Sequence, residues 1–116
     1  MNEERLARML KLLSVPTRLR IVELLKSGAL CVNALTARLN ITQGAVSQHL
    51  AALRRAGIVR PQRRGCYVHY VLDDSVLREW VELVGRLLEP GRSNLGKGGR
   101  TCAATERRKV VANRKT

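Results

Sequence analysis

Apolar side chains recur at helical spacing along the first third of the chain, and the gaps between the runs fall on residues that stop helices. Leu6, Met9, Leu10 and Leu13 stand at i, i+3, i+4 and i+7, which predicts an amphipathic helix over residues 3–13. Pro16 suits the first turn of a second helix, and Gly28 ends it. Leu19, Ile21, Val22, Leu24 and Leu25 make that helix apolar on more than one side, so it is expected to be central and buried. Val32, Leu35 and Leu39 mark a short third helix that gives way at Asn40.

A fourth helix starts just beyond the break, in the stretch TQGAVSQHLAALRRAGIV. Thr42 is a suitable N-cap, and Ile41 before it is placed to pack on Val46 as a hydrophobic staple. Val46, Leu50 and Leu53 continue one face until Gly57 ends the helix. That leaves Gln48, Ala51, Ala52 and Arg55 on the far side, with Gln43, Ser47 and Arg54 along one flank. Two such helices joined by a short turn form a helix-turn-helix, whose second helix enters the DNA major groove by its N-terminal residues. Small Gly44 and Ala45 permit a close approach of the backbone. Glutamine can pair with N6 and N7 of adenine, and the free amides near Thr42 can hold a phosphate. Gln43, Ser47, Gln48 and His49 are therefore the candidates for base contacts.

The pattern then changes from a period of 3.6 to a period of two. IVRPQRRGCYVHYVLD reads as two strands around a turn at Arg64 and Gly65, with Val68, Tyr70 and Leu72 alternating against Tyr67, His69 and Val71. Pro61 restricts the first strand to an edge. A hairpin with a basic tip, directly after a recognition helix, is a wing that presses Arg63 and Arg64 toward phosphates or the minor groove; His69 belongs to the same DNA-facing set. The fold class expected is mainly α with a small β-hairpin, a winged helix-turn-helix over residues 1–90.

Composition sharpens this reading. Lys and Arg outnumber Asp and Glu by 22 to 9, a formal net charge of +13, which calls for an anionic partner such as nucleic acid or an acidic membrane surface. No acidic residue lies between Glu23 and Asp73, an interval holding Lys26, Arg38, Arg54, Arg55, Arg60, Arg63 and Arg64. The N-terminus carries acids where a secretory signal would be basic, and no apolar run approaches the roughly 18 residues that cross a bilayer, so a cytoplasmic protein without membrane association is expected. Cys31, Cys66 and Cys102 are odd in number, widely spaced and without a CxxC pair, which supports neither a disulfide framework nor a zinc ribbon. Residues 91–116 hold eight basic residues and one acid, a charge of +7 against +6 for residues 1–90, and are read as a basic, flexible tail with a sequence-independent grip on DNA. Nothing pairs a nucleophile with a base, so an enzyme is not expected. The alternative is a winged helix that binds RNA or docks on protein, since a fold alone does not fix a function.

The segments PTRLRIVELL at 16–25, ALCVNALTARLNITQGAVSQHLAALRRAGIV at 29–59 and RRGCYVHYVLD at 63–73 together resemble the ArsR/SmtB family of winged-helix repressors, over about residues 3–90. The resemblance implies a homodimeric repressor on a palindromic double-stranded DNA operator, released by a metal, a metalloid or thiol oxidation. It also implies dimerisation through the first and last helices. Val76, Leu77, Trp80, Val81, Leu83, Val84, Leu87 and Leu88 form a stripe too wide for the small core alone. Leu6, Met9, Leu13, Trp80, Leu83, Val84 and Leu87 are the interface candidates, with a plain core role for Trp80 equally open.

Family members that sense arsenite on the third helix carry Cys-x-Cys, whereas this chain has Cys31, Asn33 and, one turn on, Thr36. Members that sense zinc on the last helix use Asp and His; here Asp74 remains, but Val76, Leu87 and Pro90 stand where the other ligands would. The metal is thus unknown, and the cofactor is open between arsenite or a soft metal ion and none. Cys31, Cys66 and Cys102 are the inducer or redox candidates, with three inert thiols as the plain alternative.

Overall fold

The structure is a computed structural model and describes residues 3–91. Five helices and three short strands follow one another in the order α1 (Glu3–Leu13), α2 (Pro16–Leu25), β1 (Leu30–Cys31), α3 (Val32–Leu39), α4 (Gln43–Arg55), β2 (Val59–Arg64), β3 (Tyr67–Leu72) and α5 (Asp74–Leu88). Contacts group Met1–Arg86 as one compact unit and Leu87–Thr116 as another, of which residues 87–91 are described. The predicted tail otherwise lies outside the described residues. None of the described helices is long and apolar enough to cross a membrane.

Helix boundaries follow local chemistry. Pro16 opens α2, where its missing N–H costs nothing. Asn40 ends α3 in the left-handed conformation, at φ 57° and ψ 45°, and its amide donates to the Thr36 carbonyl at 2.8 Å. Thr42 caps α4, its Oγ1 accepting from the Ala45 amide at 3.1 Å, and Gly57 takes φ +84° where the chain turns into β2. Asp73 caps α5 by accepting from the Ser75 hydroxyl at 2.7 Å and from the Ser75 and Val76 amides at 3.1 and 3.2 Å. The Ser75 hydroxyl above all, then the two amides and the nearby Arg60 guanidinium, hold the Asp73 carboxyl below its ordinary range.

Ile21, Leu35, Val46, Leu50, Leu53, Ile58 and Val59 form the centre of the core, each at most 2% exposed, with Leu6, Met9, Leu25, Leu39 and Trp80 around them. α2 is half-buried rather than central. Ile21 and Leu25, one turn apart, face inward against α1, α3, α4 and β3, while Leu19 is 48% exposed.

The hairpin forms with its tip shifted by one residue from the sequence expectation. Arg64 pairs with Tyr67, so the loop is Gly65–Cys66, with Gly65 at φ +63° in the first loop position. β2, which carries Pro61, is indeed an edge strand. The unexpected element is β1, whose Leu30 and Cys31 pair antiparallel with Tyr70 and His69. This places β3 in the middle of a sheet ordered β1-β3-β2, and so β3 shows no clean inside–outside alternation: residues 68–72 are all partly buried.

Candidate nucleic-acid interface

Thr42 fixes where α4 begins, and the burial pattern then divides the helix along its length. Gln43, Gly44, Ser47, Gln48, Ala51, Arg54 and Arg55 are exposed, whereas Val46, Leu50, Ala52 and Leu53 are buried. With 100° per residue, Gln43, Ser47 and Arg54 lie within a narrow sector beside the buried face, and Gln48 lies on its far side. The first two turns therefore present two glutamines, a serine and first-turn amides that no helical carbonyl can satisfy. Such a surface can hydrogen-bond base edges and a phosphate at once.

Two members of the expected set face elsewhere. His49 is partly buried, and its Nδ1 accepts from Arg18 Nε at 3.2 Å; the same arginine donates through Nη1 to the Leu12 carbonyl at 3.0 Å. α2 thus holds the imidazole on the covered side of α4, away from the sector of Gln43 and Ser47. His69 lies mid-sheet, opposite Cys31 and Gln62, and its Nδ1 is buried without a hydrogen-bond partner. Neither histidine is presented as a DNA contact.

Ala52 corrects the expected outer face of α4, being only 3% exposed. It borders a cavity together with Met9 and Leu12 of α1 and Trp80 of α5, and Arg55 lines the same cavity at the helix end remote from Gln43. Arg55 thus faces the cavity side of α4, whereas Arg54, in the same last turn, lies in the sector of Gln43 and Ser47. In the wing, Arg63 is exposed and has no ion-pair or hydrogen-bond partner among the described residues, whereas Arg64 donates to Gln62 Oε1 from Nη2 at 2.9 Å and from Nε at 3.2 Å. The two side chains leave a strand on opposite faces, and only Arg64 shares the face of Gln62.

Cys31 and Cys66 are free thiols, the first half-buried and the second exposed. Both border one cavity of about 210 Å³, together with Val32, Asn33, Gln43, Tyr67 and Val68. The fold thus brings the two described thiols beside the first residue of the recognition helix. Cys102 lies outside the described residues. Among the described residues no group of three or more His, Cys, Asp or Glu could hold a metal ion.

Of the interface candidates, Leu6, Met9 and Trp80 are buried within the single chain, at 5, 7 and 7% exposure, and serve its core. Leu13, Leu83 and Val84 are partly buried against that core, and Leu87 is 54% exposed. The most open large apolar side chain of α5 is Val81, at 72%, and α1 leaves Leu10 at 42%. Arg18 was not legible in the sequence as a functional residue, because its partners Leu12 and His49 belong to two other helices and no pattern within α2 points to them.

The sequence profile described as "Bacterial regulatory protein, arsR family" matches residues 15–60, which span α2, α3, α4 and the start of β2. The transcriptional repressor SdpR of Bacillus subtilis is 29% identical over 85 residues, covering 73% of this chain and 94% of its own. The transcriptional activator HlyU of Vibrio cholerae is 36% identical over 86 residues, 74% of this chain and 80% of its own. The HlyU structure superposes with a TM-score of 0.60 over 75% of this chain and 96% of that one. The homodimeric winged helix-turn-helix DNA-binding domain of a possible ArsR-family regulator from Mycobacterium bovis, 29% identical, gives 0.60 over 72% of this chain and 80% of that one. With the family profile over residues 15–60, relatives at these identities and coverages, and the polar, N-capped α4 of a winged helix, the chain belongs to the ArsR family of winged helix-turn-helix transcriptional regulators.

Proposed function

We propose that the protein is a cytoplasmic repressor that binds a palindromic operator as a homodimer and is released by chemistry at its thiols. The observation that carries the DNA-reading half is the exposed start of α4, where Gln43, Ser47 and Gln48 surround an N-terminus fixed by the Thr42 cap. Arg54, in the last turn of α4, and Arg63, in the wing, add exposed positive charge. Two-fold pairing is supported by the large apolar side chains that α1 and α5 leave in water, Leu10 and Val81 among them, and by the homodimeric relative. Gln48→Ala should weaken binding to an operator selected from random duplexes by about 1 to 3 kcal/mol and relax base preference at one position per half-site. Equal weakening on every duplex would make Gln48 a backbone contact instead.

Release is assigned to Cys31 and Cys66. Cys31 pairs with His69, three residues along the chain from Cys66. At about 3.3 Å per strand residue the two Cα atoms lie on the order of 10 Å apart, beyond the roughly 7 Å that a disulfide spans. A bond between the sulfurs, or a soft ion such as arsenite held by both, therefore has to draw the wing tip toward α3, beside Gln43. Cys31→Ser and Cys66→Ser are each expected to leave operator binding intact and to abolish release by arsenite or by hydrogen peroxide. If the double variant is still released by whichever agent releases the parent, the thiol assignment is wrong.

A further inference from the structure

The cavity that captures Arg55 has the chemistry of a ligand site. Its volume is about 390 Å³, within the range of roughly 300 to 1,000 Å³ typical of pockets for small molecules. Three helices line it: α1 through Arg5, Arg8, Met9 and Leu12, at helical spacing; α4 through Ala52 and Arg55, with Ala56 just past its end; and α5 through Trp80. The floor is apolar and well packed, with Met9, Ala52 and Trp80 each no more than 7% exposed. The rim is cationic. Arg5 is engaged by Glu79 at 2.9 Å, but Arg8 and Arg55 have no ion-pair or hydrogen-bond partner among the described residues, although they border the same hollow from two different helices. Two unneutralised guanidinium groups over an aromatic and aliphatic floor leave one place for a negative charge and one for a flat apolar body.

We propose that this cavity is an effector site for small aromatic carboxylates. The ring lies on Met9, Ala52 and Trp80, and the carboxylate is held between Arg8 and Arg55, whose planar donor forks match it. α4 is the element that couples the site to DNA. Its thirteen residues make a rod about 20 Å long, with Ala52 and Arg55 at the cavity end and Gln43 and Ser47 at the other. A ligand wedged between α1 and the last turn of α4 tilts the rod and moves its reading end in the opposite sense, which weakens the operator complex. Ligand binding stands independently of the DNA-reading proposal; its effect on the operator rests on it.

Trp80 is the only tryptophan of the chain, so its fluorescence reports the cavity alone. Titration of the full-length protein without DNA, using 1-naphthoate and salicylate, should give saturable quenching below about 1 mM, a Kd corresponding to about −4 kcal/mol. Uncharged 1-naphthamide should quench at least about tenfold more weakly, because it cannot form the charge-assisted pair. Arg8→Gln and Arg55→Gln should each lower naphthoate affinity about tenfold or more, with Arg55→Lys losing less. At saturating naphthoate the operator Kd should rise about tenfold, and by linkage the DNA-bound protein should bind naphthoate more weakly by the same factor. Quenching that is absent, as it would be if a second copy of the chain filled the hollow, overturns the site, as does quenching indifferent to the charge or to both arginine substitutions. Unchanged operator affinity at saturation overturns the effector role. A protein that binds no DNA would refute the DNA-reading proposal and leave the quenching experiment to decide the site by itself.

Discussion

Raising the salt from 50 to 200 mM should weaken operator binding about a thousandfold. Each protomer offers Arg54, in the sector of α4 that also holds Gln43 and Ser47, and Arg63 and Arg64 in the wing, so a dimer neutralises about six phosphates, and the logarithm of affinity falls by about 0.9 per phosphate for each decade of salt. Arg63→Gln should lower the magnitude of that slope by about 2, since it removes one phosphate contact from each protomer. Arg55→Gln should leave the slope alone, because Arg55 faces the cavity beside Trp80 and not the sector of Gln43, Ser47 and Arg54. A nearly flat salt response would overturn the cationic surface as the source of affinity. Removal of residues 91–116, which hold +7 of the net +13, should reduce the slope further while leaving the choice of operator unchanged.

What could be read from the sequence, and what could not, divides along the range of the interactions involved. Helix starts and stops depend on neighbours a few residues apart, and Pro16, Asn40, Thr42 and Gly57 act where the pattern places them. The buried stripe of α4 and the edge position of β2 follow from period and from Pro61 for the same reason. A count of apolar residues does not say how many neighbours cover a helix, which is why α2 departs from the central position expected of it: Leu19 is apolar and yet 48% exposed. β1 is two residues long and has no periodicity to detect, yet it sets Cys31 opposite His69 and moves β3 to the centre of the sheet. Arg18 and Arg55 show the limit most plainly. Both are basic residues on helices, and only the crossing of α1, α2, α4 and α5 makes one a support for His49 and the other a wall of a cavity. A charge pattern identifies a cationic protein; assigning each cation to DNA, to a histidine or to a hollow requires the packing.

Leu53→Ala should cost about 2 to 5 kcal/mol of stability, the largest loss expected from any single truncation in α4. Leu53 is fully buried on the core face of the recognition helix, among Val46, Leu50, Ile58 and Val59, and the cavity left by its removal is closed in by side chains that are themselves at most 2% exposed. The thermal midpoint of a domain of this size should fall by at least about 10 °C. Operator binding should weaken as well, because this face packs α4 into the core, and its reading end is only as fixed as its buried side. Leu19→Ala is the matched comparison: the same atoms are deleted, but nearly half of that side chain is already in water, so the cost should stay below about 1 kcal/mol. Denaturant unfolding of both variants checks the pair at two protein concentrations. Equal losses at the higher concentration only would mean that a second copy of the chain covers Leu19, which would extend the proposed dimer surface to α2; equal losses at both concentrations would contradict the burial pattern on which the placement of α4 rests.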